Sequence, residues 1–288
     1  MKTDGIFTTQ IVNIKFEEYG VPINLSATGD WHCGSTSHDR GSFIEYLEEA
    51  KSLNAYLIGT GDYIDLMSTS ERHNYLQVEF HDQTRNSFDE FVIARVTELA
   101  ELIKKYYGNR IIGLAGGNHY YTTSYGLSSD QLLCQLLGCR YLGVNSLTRI
   151  VFDYDKSTNA SLKADVCIHH GLSGGRTCGT SINKLQQIAN NFNADILLMG
   201  HDHNRVIDYI NRLEMSYNGK FVNRRMLLAR TGSFLKAYEP NRPSYAVDAL
   251  YPPADIGGVK IAITPHRTHK SVNGKRVDNR WLHTEATI

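Results

Sequence analysis

Through the first two thirds of the chain, short apolar runs alternate with longer stretches whose apolar positions recur at helical spacing. Period-2 or continuous apolar runs predict strands near 10–16, 23–28, 55–59, 110–115, 149–154, 164–168 and 195–199. Residues 42–54 read as a helix, with Ser42 as its candidate cap and Glu45 three residues on. In 84–107, Phe88, Phe91, Val92, Val96, Leu99, Leu102, Ile103 and Tyr106 form one apolar stripe, which Gly108 and Asn109 end. Two shorter helices are predicted at 129–137 and 181–193. Strands alternating with helices define an α/β fold with helices on the sheet faces. The last third differs. An Asn218-Gly219 turn joins two strand-like runs, and a further strand follows near 258–264, so an antiparallel or mixed sheet is expected to close a sandwich. The polar tail after Pro265 is expected to be loosely held. No repeat or linker divides residues 1–288, which read as a single domain.

Composition narrows the class. Thirty basic residues balance thirty acidic ones, so any anionic substrate must be attracted locally and not by a global field. The five cysteines form no CxxC pair, which points to reduced thiols and a cytoplasmic setting. The opening residues carry no apolar signal core, and no apolar run is long enough to span a membrane, so no membrane association is expected.

The candidate chemistry lies where the strands end. The strand near 23–28 runs into "GDWHCG", presenting Asp30 and His32; that near 55–59 runs into "GTGDYID", presenting Asp62. After 110–115 comes "GGNHYY", with Asn118 and His119; after 164–168 comes "HHGLSGG", with His169 and His170. After 195–199 comes "GHDH", with His201 and His203. In open α/β sheets ligands bind beyond the carboxyl ends of the strands, so five such loops are expected to converge on one crevice. Imidazole nitrogens and carboxylate oxygens without thiolates suit borderline divalent ions. Asp30, His32, Asp62, Asn118, His169, His201 and His203 make seven ligands, too many for one tetrahedral ion and about right for two, with one carboxylate bridging. Two ions roughly 3.5 to 4 Å apart activate water and clamp an in-line displacement at phosphorus. One of two adjacent histidines usually points away, and His169 is taken as the ligand with His170 as its neighbour. Cys33, one thiol among hard ligands, is left outside the set. The motif glycines are read as backbone necessities, not phosphate contacts.

The series "GDWH", "GD", "GNH", "HHG" and "GHDH" resembles the signature of the calcineurin-like metallophosphoesterases over roughly residues 23 to 235. That resemblance implies a two-layer mixed β-sandwich flanked by helices, with two divalent ions at the strand ends: manganese first, with iron, zinc, cobalt or nickel as alternatives. Asp30, His32 and His203 resemble the ligands of one metal, Asn118, His169 and His201 those of the other, and Asp62 the bridge. His119 resembles the catalytic histidine that touches the phosphate and protonates the leaving group. "RTGSF", 230–234, resembles a Gly-Ser turn that follows the last motif. Many relatives carry an acid directly after the Asn-His pair; Tyr120 stands there, which leaves open what orients His119.

The function expected is dinuclear, metal-dependent phosphoester hydrolysis. The segment 66–87 interleaves Arg72, His73, Tyr75, His81 and Arg85 and could form a rim that reads the substrate, with Arg72, His73 and Arg85 as candidate binding residues; a solvated loop is the plainer reading. Basic and aromatic side chains together suit a nucleotide or single-stranded nucleic acid, so the expectation is a phosphodiesterase or nuclease. A phosphomonoesterase acting on small molecules or phosphoproteins is the alternative. A non-catalytic binding module on the same fold is an alternative of another class, against which stands the presence of every ligand and of His119.

Overall fold

The computed structural model describes residues 7–66, 81–157, 160–171, 177–238, 247, 252–272 and 275–288. In chain order these form β1 (Phe7–Phe16), β2 (Ile23–Thr28), α1 (Arg40–Ser52), β3 (Tyr56–Gly59), α2 (Asp82–Tyr107), β4 (Ile111–Leu114), α3 (Ser129–Leu137) and β5 (Asn145–Tyr154). There follow β6 (Ser161–His169), α4 (Cys178–Ala189), β7 (Ile196–Met199), β8 (Arg205–Met215), β9 (Phe221–Thr231), β10 (Val259–Val272) and β11 (Lys275–Thr287). Six strands make one sheet in the order β1-β5-β6-β7-β9-β8, and five make the other in the order β11-β10-β2-β3-β4. Both sheets are mixed: β2, β3 and β4 run parallel, as do β6, β7 and β9, while β10 and β11 are antiparallel additions beside β2.

Side-chain alternation explains the layering. Along β6, Val166 and Ile168 enter the core between the sheets while Cys167 faces the other way; along β7, Ile196 and Leu198 point inward and Leu197 and Met199 outward. The outward residues are covered by Leu185 and Ala189 of α4, so these strands are apolar on both faces and read as unbroken runs. On the opposite side, Phe43 and Leu47 of α1 and Val92, Val96, Leu99 and Ile103 of α2 pack with Trp31 and Tyr63 against the five-stranded sheet. The result is a two-layer mixed sandwich with helices on both outer faces.

Three expectations are corrected. The cap of α1 is Asp39, not Ser42: the Asp39 carboxylate accepts the Ser42 backbone N–H and its hydroxyl. The last helix covers Cys178–Ala189, because Thr177 supplies the cap by accepting the Thr180 N–H. The tail after Pro265 is not loosely held. It completes β10 and returns as β11, with Leu282 and Ala286 packed on the inter-sheet core and Arg267 paired with Asp278 across the hairpin. Its polar alternation is that of a strand with one wet face. Among the described residues no helix is long and apolar enough to cross a membrane, and all five cysteines are free thiols.

The capping geometry sets a test. Asp39→Ala should lower stability by about 1 kcal/mol, the usual cost of losing an N-cap acceptor, and Ser42→Ala by less. Urea unfolding of both variants checks the order; a larger loss for Ser42→Ala would return the cap to the serine.

Candidate metal centre

The strand ends that carry the motifs belong to both sheets. β2, β3 and β4 deliver Asp30 and His32, Asp62, and Asn118 and His119 from one layer; β6 and β7 deliver His169 and His170, and His201 and His203, from the other. The crevice is therefore a seam between two sheets and not the edge of a single open one. Beyond β2 and β3 the ladder continues into the loops: Asp30 N–H donates to Gly61 O at 2.8 Å, His32 N–H to Asp62 O at 3.0 Å and Cys33 N–H to Tyr63 O at 3.1 Å. Asp30, His32, Asp62, His201 and His203 all hold positive φ, between 46° and 78°, where a residue with a Cβ is strained. His201 and His203 thus do not share one face of an extended strand, as their spacing alone suggests. Left-handed turns after Met199 send them to opposite halves of the cluster.

One half gathers Asp30, His32 and His203. His203 Nε2 lies 3.3 Å from His32 Nε2 and 3.4 Å from Asp30 Oδ1. The other half gathers Asp62, Asn118, His170 and His201. Asn118 Oδ1 lies 2.7 Å from His170 Nε2 and 2.9 Å from His201 Nδ1, and Asp62 Oδ2 lies 3.1 Å from His170 Nε2. The same Asp62 oxygen is 4.0 Å from His32 Nε2, so this carboxylate borders both halves, while its Oδ1 accepts the His119 backbone N–H at 2.7 Å. Gly117 and Gly200 allow the approach. A Cβ at Gly117 would fall inside Asp62, and one at Gly200 inside the Asp30 carboxylate.

His170 stands where His169 was expected. His169 ends β6, pairs with Met199 and accepts the Gly171 N–H on its Nδ1 at 2.7 Å, outside the cluster. Neighbours along an extended chain point to opposite sides, and it is His170 that turns inward. His170 Nδ1 donates to Thr60 O at 2.9 Å, which fixes Nε2 as the ring atom that faces the cluster. Nothing in the "HHG" string distinguishes the two; the Thr60 carbonyl that selects His170 comes from 110 residues away.

Asp65, not singled out from the sequence, supplies the acid that Tyr120 does not. One of its oxygens is 3.2 Å from His32 Nδ1 and the other 3.2 Å from His119 Nδ1. A single carboxylate therefore orients the ring of a candidate ligand and that of the candidate catalytic histidine. It sits three residues after Asp62 in "GDYID", a spacing that could have drawn attention to it. Tyr120 is 40% exposed. Of the substrate-rim candidates, Arg72 and His73 lie outside the described residues; Arg85 is in the first turn of α2, exposed, with its backbone N–H on His81 O.

The electrostatics fit a cation site. Burial alone would raise the Asp62 and Asp30 carboxyls, yet both are held below the usual carboxylate range, Asp62 by the His170, His32 and His119 imidazoles and Asp30 by His203 and His170. Asp65 is drawn down to about 2 against the effect of burial by its bonds to His119 and His32. Burial would lower His170, but Asp62 and Asp30 carry it up to about 9, while burial and then the charge on His170 lower His201. Buried carboxylates and imidazoles converge within about a coordination sphere, a donor set able to hold divalent metal.

In chain course the protein is similar to several solved structures. Wild-type Vps29 from Entamoeba histolytica, crystallised with zinc, is 12% identical over 90% of this chain and 99% of that one, with a TM-score of 0.33. A predicted phosphoesterase from Streptococcus pneumoniae is 12% identical over 91% and 99% of the two chains, TM-score 0.30. GAP50, the anchor in the inner membrane complex of Plasmodium, is 11% identical over 91% and 88%, TM-score 0.38. No protein-family model and no curated protein sequence matches the chain. The two-layer mixed sandwich agrees with the architecture expected from the sequence, and the functional reading rests on the site itself.

Elemental analysis after loading with manganese should find two equivalents per chain. Asp62→Asn should lose both and His170→Ala should lose at least one, whereas His169→Ala and Cys33→Ser should keep both. Metal loss in His169→Ala with retention in His170→Ala would reverse the assignment.

Proposed function

We propose that the protein is a dinuclear metal-dependent phosphoester hydrolase whose substrate is a phosphodiester of the nucleotide or nucleic-acid class. The observation that carries the hydrolase reading is the Asp62 carboxylate bordering two donor groups, Asp30, His32 and His203 on one side and Asn118, His170 and His201 on the other, with His119 beside them and outside both. Divalent ions held there would neutralise phosphoryl oxygens and make water a nucleophile at neutral pH. Manganese suits the oxygen and imidazole donors, and iron, zinc, cobalt and nickel remain compatible with them.

The chain's own groups supply the rest. Asp62 Oδ1 accepts the His119 backbone N–H and an Asp65 oxygen stands 3.2 Å from its Nδ1, so His119 Nε2 is the ring atom left to face a substrate. Burial works against protonating His119, but Asp65 and Asp62 outweigh it and raise its pKa, which keeps a proton available for the departing oxygen. The diester preference is supported by the interleaved basic and aromatic residues of 66–87.

The test compares leaving groups. His119→Ala should keep both ions and lose about 10²- to 10⁴-fold in kcat on an alkyl or nucleotide diester, the usual contribution of general acid catalysis. Its loss on bis-p-nitrophenyl phosphate should be smaller, because the phenolate leaves without a proton. Equal losses on both would replace the general acid with an electrostatic contact. Faster turnover of mono- than of bis-p-nitrophenyl phosphate by the wild type would move the assignment to a phosphomonoesterase.

A further inference from the structure

Between His201 and His203 stands Asp202, whose side chain is 2% exposed and points away from the donor cluster toward Arg230, which is 0% exposed. A fully buried guanidinium is costly unless its charge is matched, and a second cation so near a cation site is more costly still. Arg230 lies in β9, paired with Met199 of β7 on one side and Val206 of β8 on the other, so the sheet itself fixes its root. Its Nε is 3.3 Å from Asp202 Oδ2 and its Nη1 donates to Gly200 O at 2.7 Å. Neither Nε nor Nη2 makes a hydrogen bond among the described residues, so Asp202 meets the guanidinium as an ion pair.

Asp202 is held from a second direction. Ser181, fully buried in the first turn of α4, donates its hydroxyl to Asp202 Oδ2 at 2.5 Å, and Asn204 donates its backbone N–H to Oδ1 at 3.3 Å and its side-chain amide to Ser181 Oγ at 3.3 Å. The chain from Gly200 to Asn204 is thus gripped at its first carbonyl, at its middle side chain and at its last residue. Within that grip, φ is 78° at His201 and 57° at His203. This double left-handed turn sends one ring to Asn118 and His170 and the other to Asp30 and His32.

We propose that Arg230 and Asp202 are positioning residues that clamp the His201–His203 turn in the conformation that divides the two histidines between two metal ions. The inference rests on the dinuclear reading above. Neither residue contacts the donor cluster as a ligand: Arg230 acts on the backbone of Gly200 and through Asp202, and Asp202 acts through the turn it anchors. A pair kept only to balance charge under the sheet predicts different behaviour from a clamp, because deleting both partners removes the unmatched charge but also removes the grip.

The experiment uses the full chain as Asp202→Asn, Arg230→Met and the double variant, each measured for melting temperature without metal and for manganese and cobalt affinity by chelator competition. Either single change should lower the metal-free melting temperature, and the double should recover much of that loss. Metal affinity should fall roughly 10- to 100-fold in all three, the usual cost of removing the groups that orient ligands. The visible absorption of the cobalt-loaded double variant should show altered coordination. If the double variant regains wild-type affinity and spectrum along with its stability, or if Asp202→Asn binds metal as the wild type does, the clamp is wrong and the pair only balances charge. A wild-type chain that binds no divalent ion would sink the dinuclear reading instead, a separate outcome. Should a single variant fail to fold, the double variant's affinity decides alone.

Discussion

Two carboxylates, an amide and four imidazoles can stand within a few ångströms of one another only if the backbone beneath them cannot relax, and the left-handed φ at Asp30, His32, Asp62, His201 and His203 is that constraint. Each such residue costs about 1 kcal/mol or more in isolation. The cost is offset by bonds that cross from one strand end to the next: Asp30 N–H to Gly61 O, His32 N–H to Asp62 O, and His201 N–H to the Asp30 carboxylate at 2.9 Å. The candidate ligands are therefore part of what holds the seam together. Losing Asp30 would release the His201 loop as well as one donor.

The same economy runs through the charges. Asp62 borders both donor groups with one oxygen and anchors the His119 backbone with the other; Asp65 uses one oxygen for His32 and one for His119. Around them the packing is ordinary. The inter-sheet core ends just below the seam at Ala27, Ile58, Ile168 and Leu198, and beyond each of these residues the chain changes from apolar to ligand-bearing within two to four positions. Asp30 and Asp62 are buried and held ionised, and a divalent cation gains most from carboxylates kept out of bulk water.

How much of this the sequence disclosed depends on range. Runs such as "DILLM" were legible as strands because alternate residues face two different cores, and the α2 stripe because 26 residues repeat one period. The five motifs were legible because glycine beside Asp, Asn or His after an apolar run is a local pattern. What stayed hidden was nonlocal. The choice of His170 over His169 is made by the Thr60 carbonyl, the acid for His119 comes from Asp65 and not from the next residue, and the tail becomes strand only because β2 has an open edge for β10. The split of the ligand strands between two sheets also leaves no trace in any one motif.

The central claim is that two ions share Asp62, and anomalous diffraction from manganese-soaked crystals tests it most directly. The account predicts two peaks roughly 3.5 to 4 Å apart on either side of the Asp62 carboxylate. One peak should contact Asp30, His32 and His203, and the other Asn118, His170 and His201. A single peak, or a second one seated on His169, would contradict it.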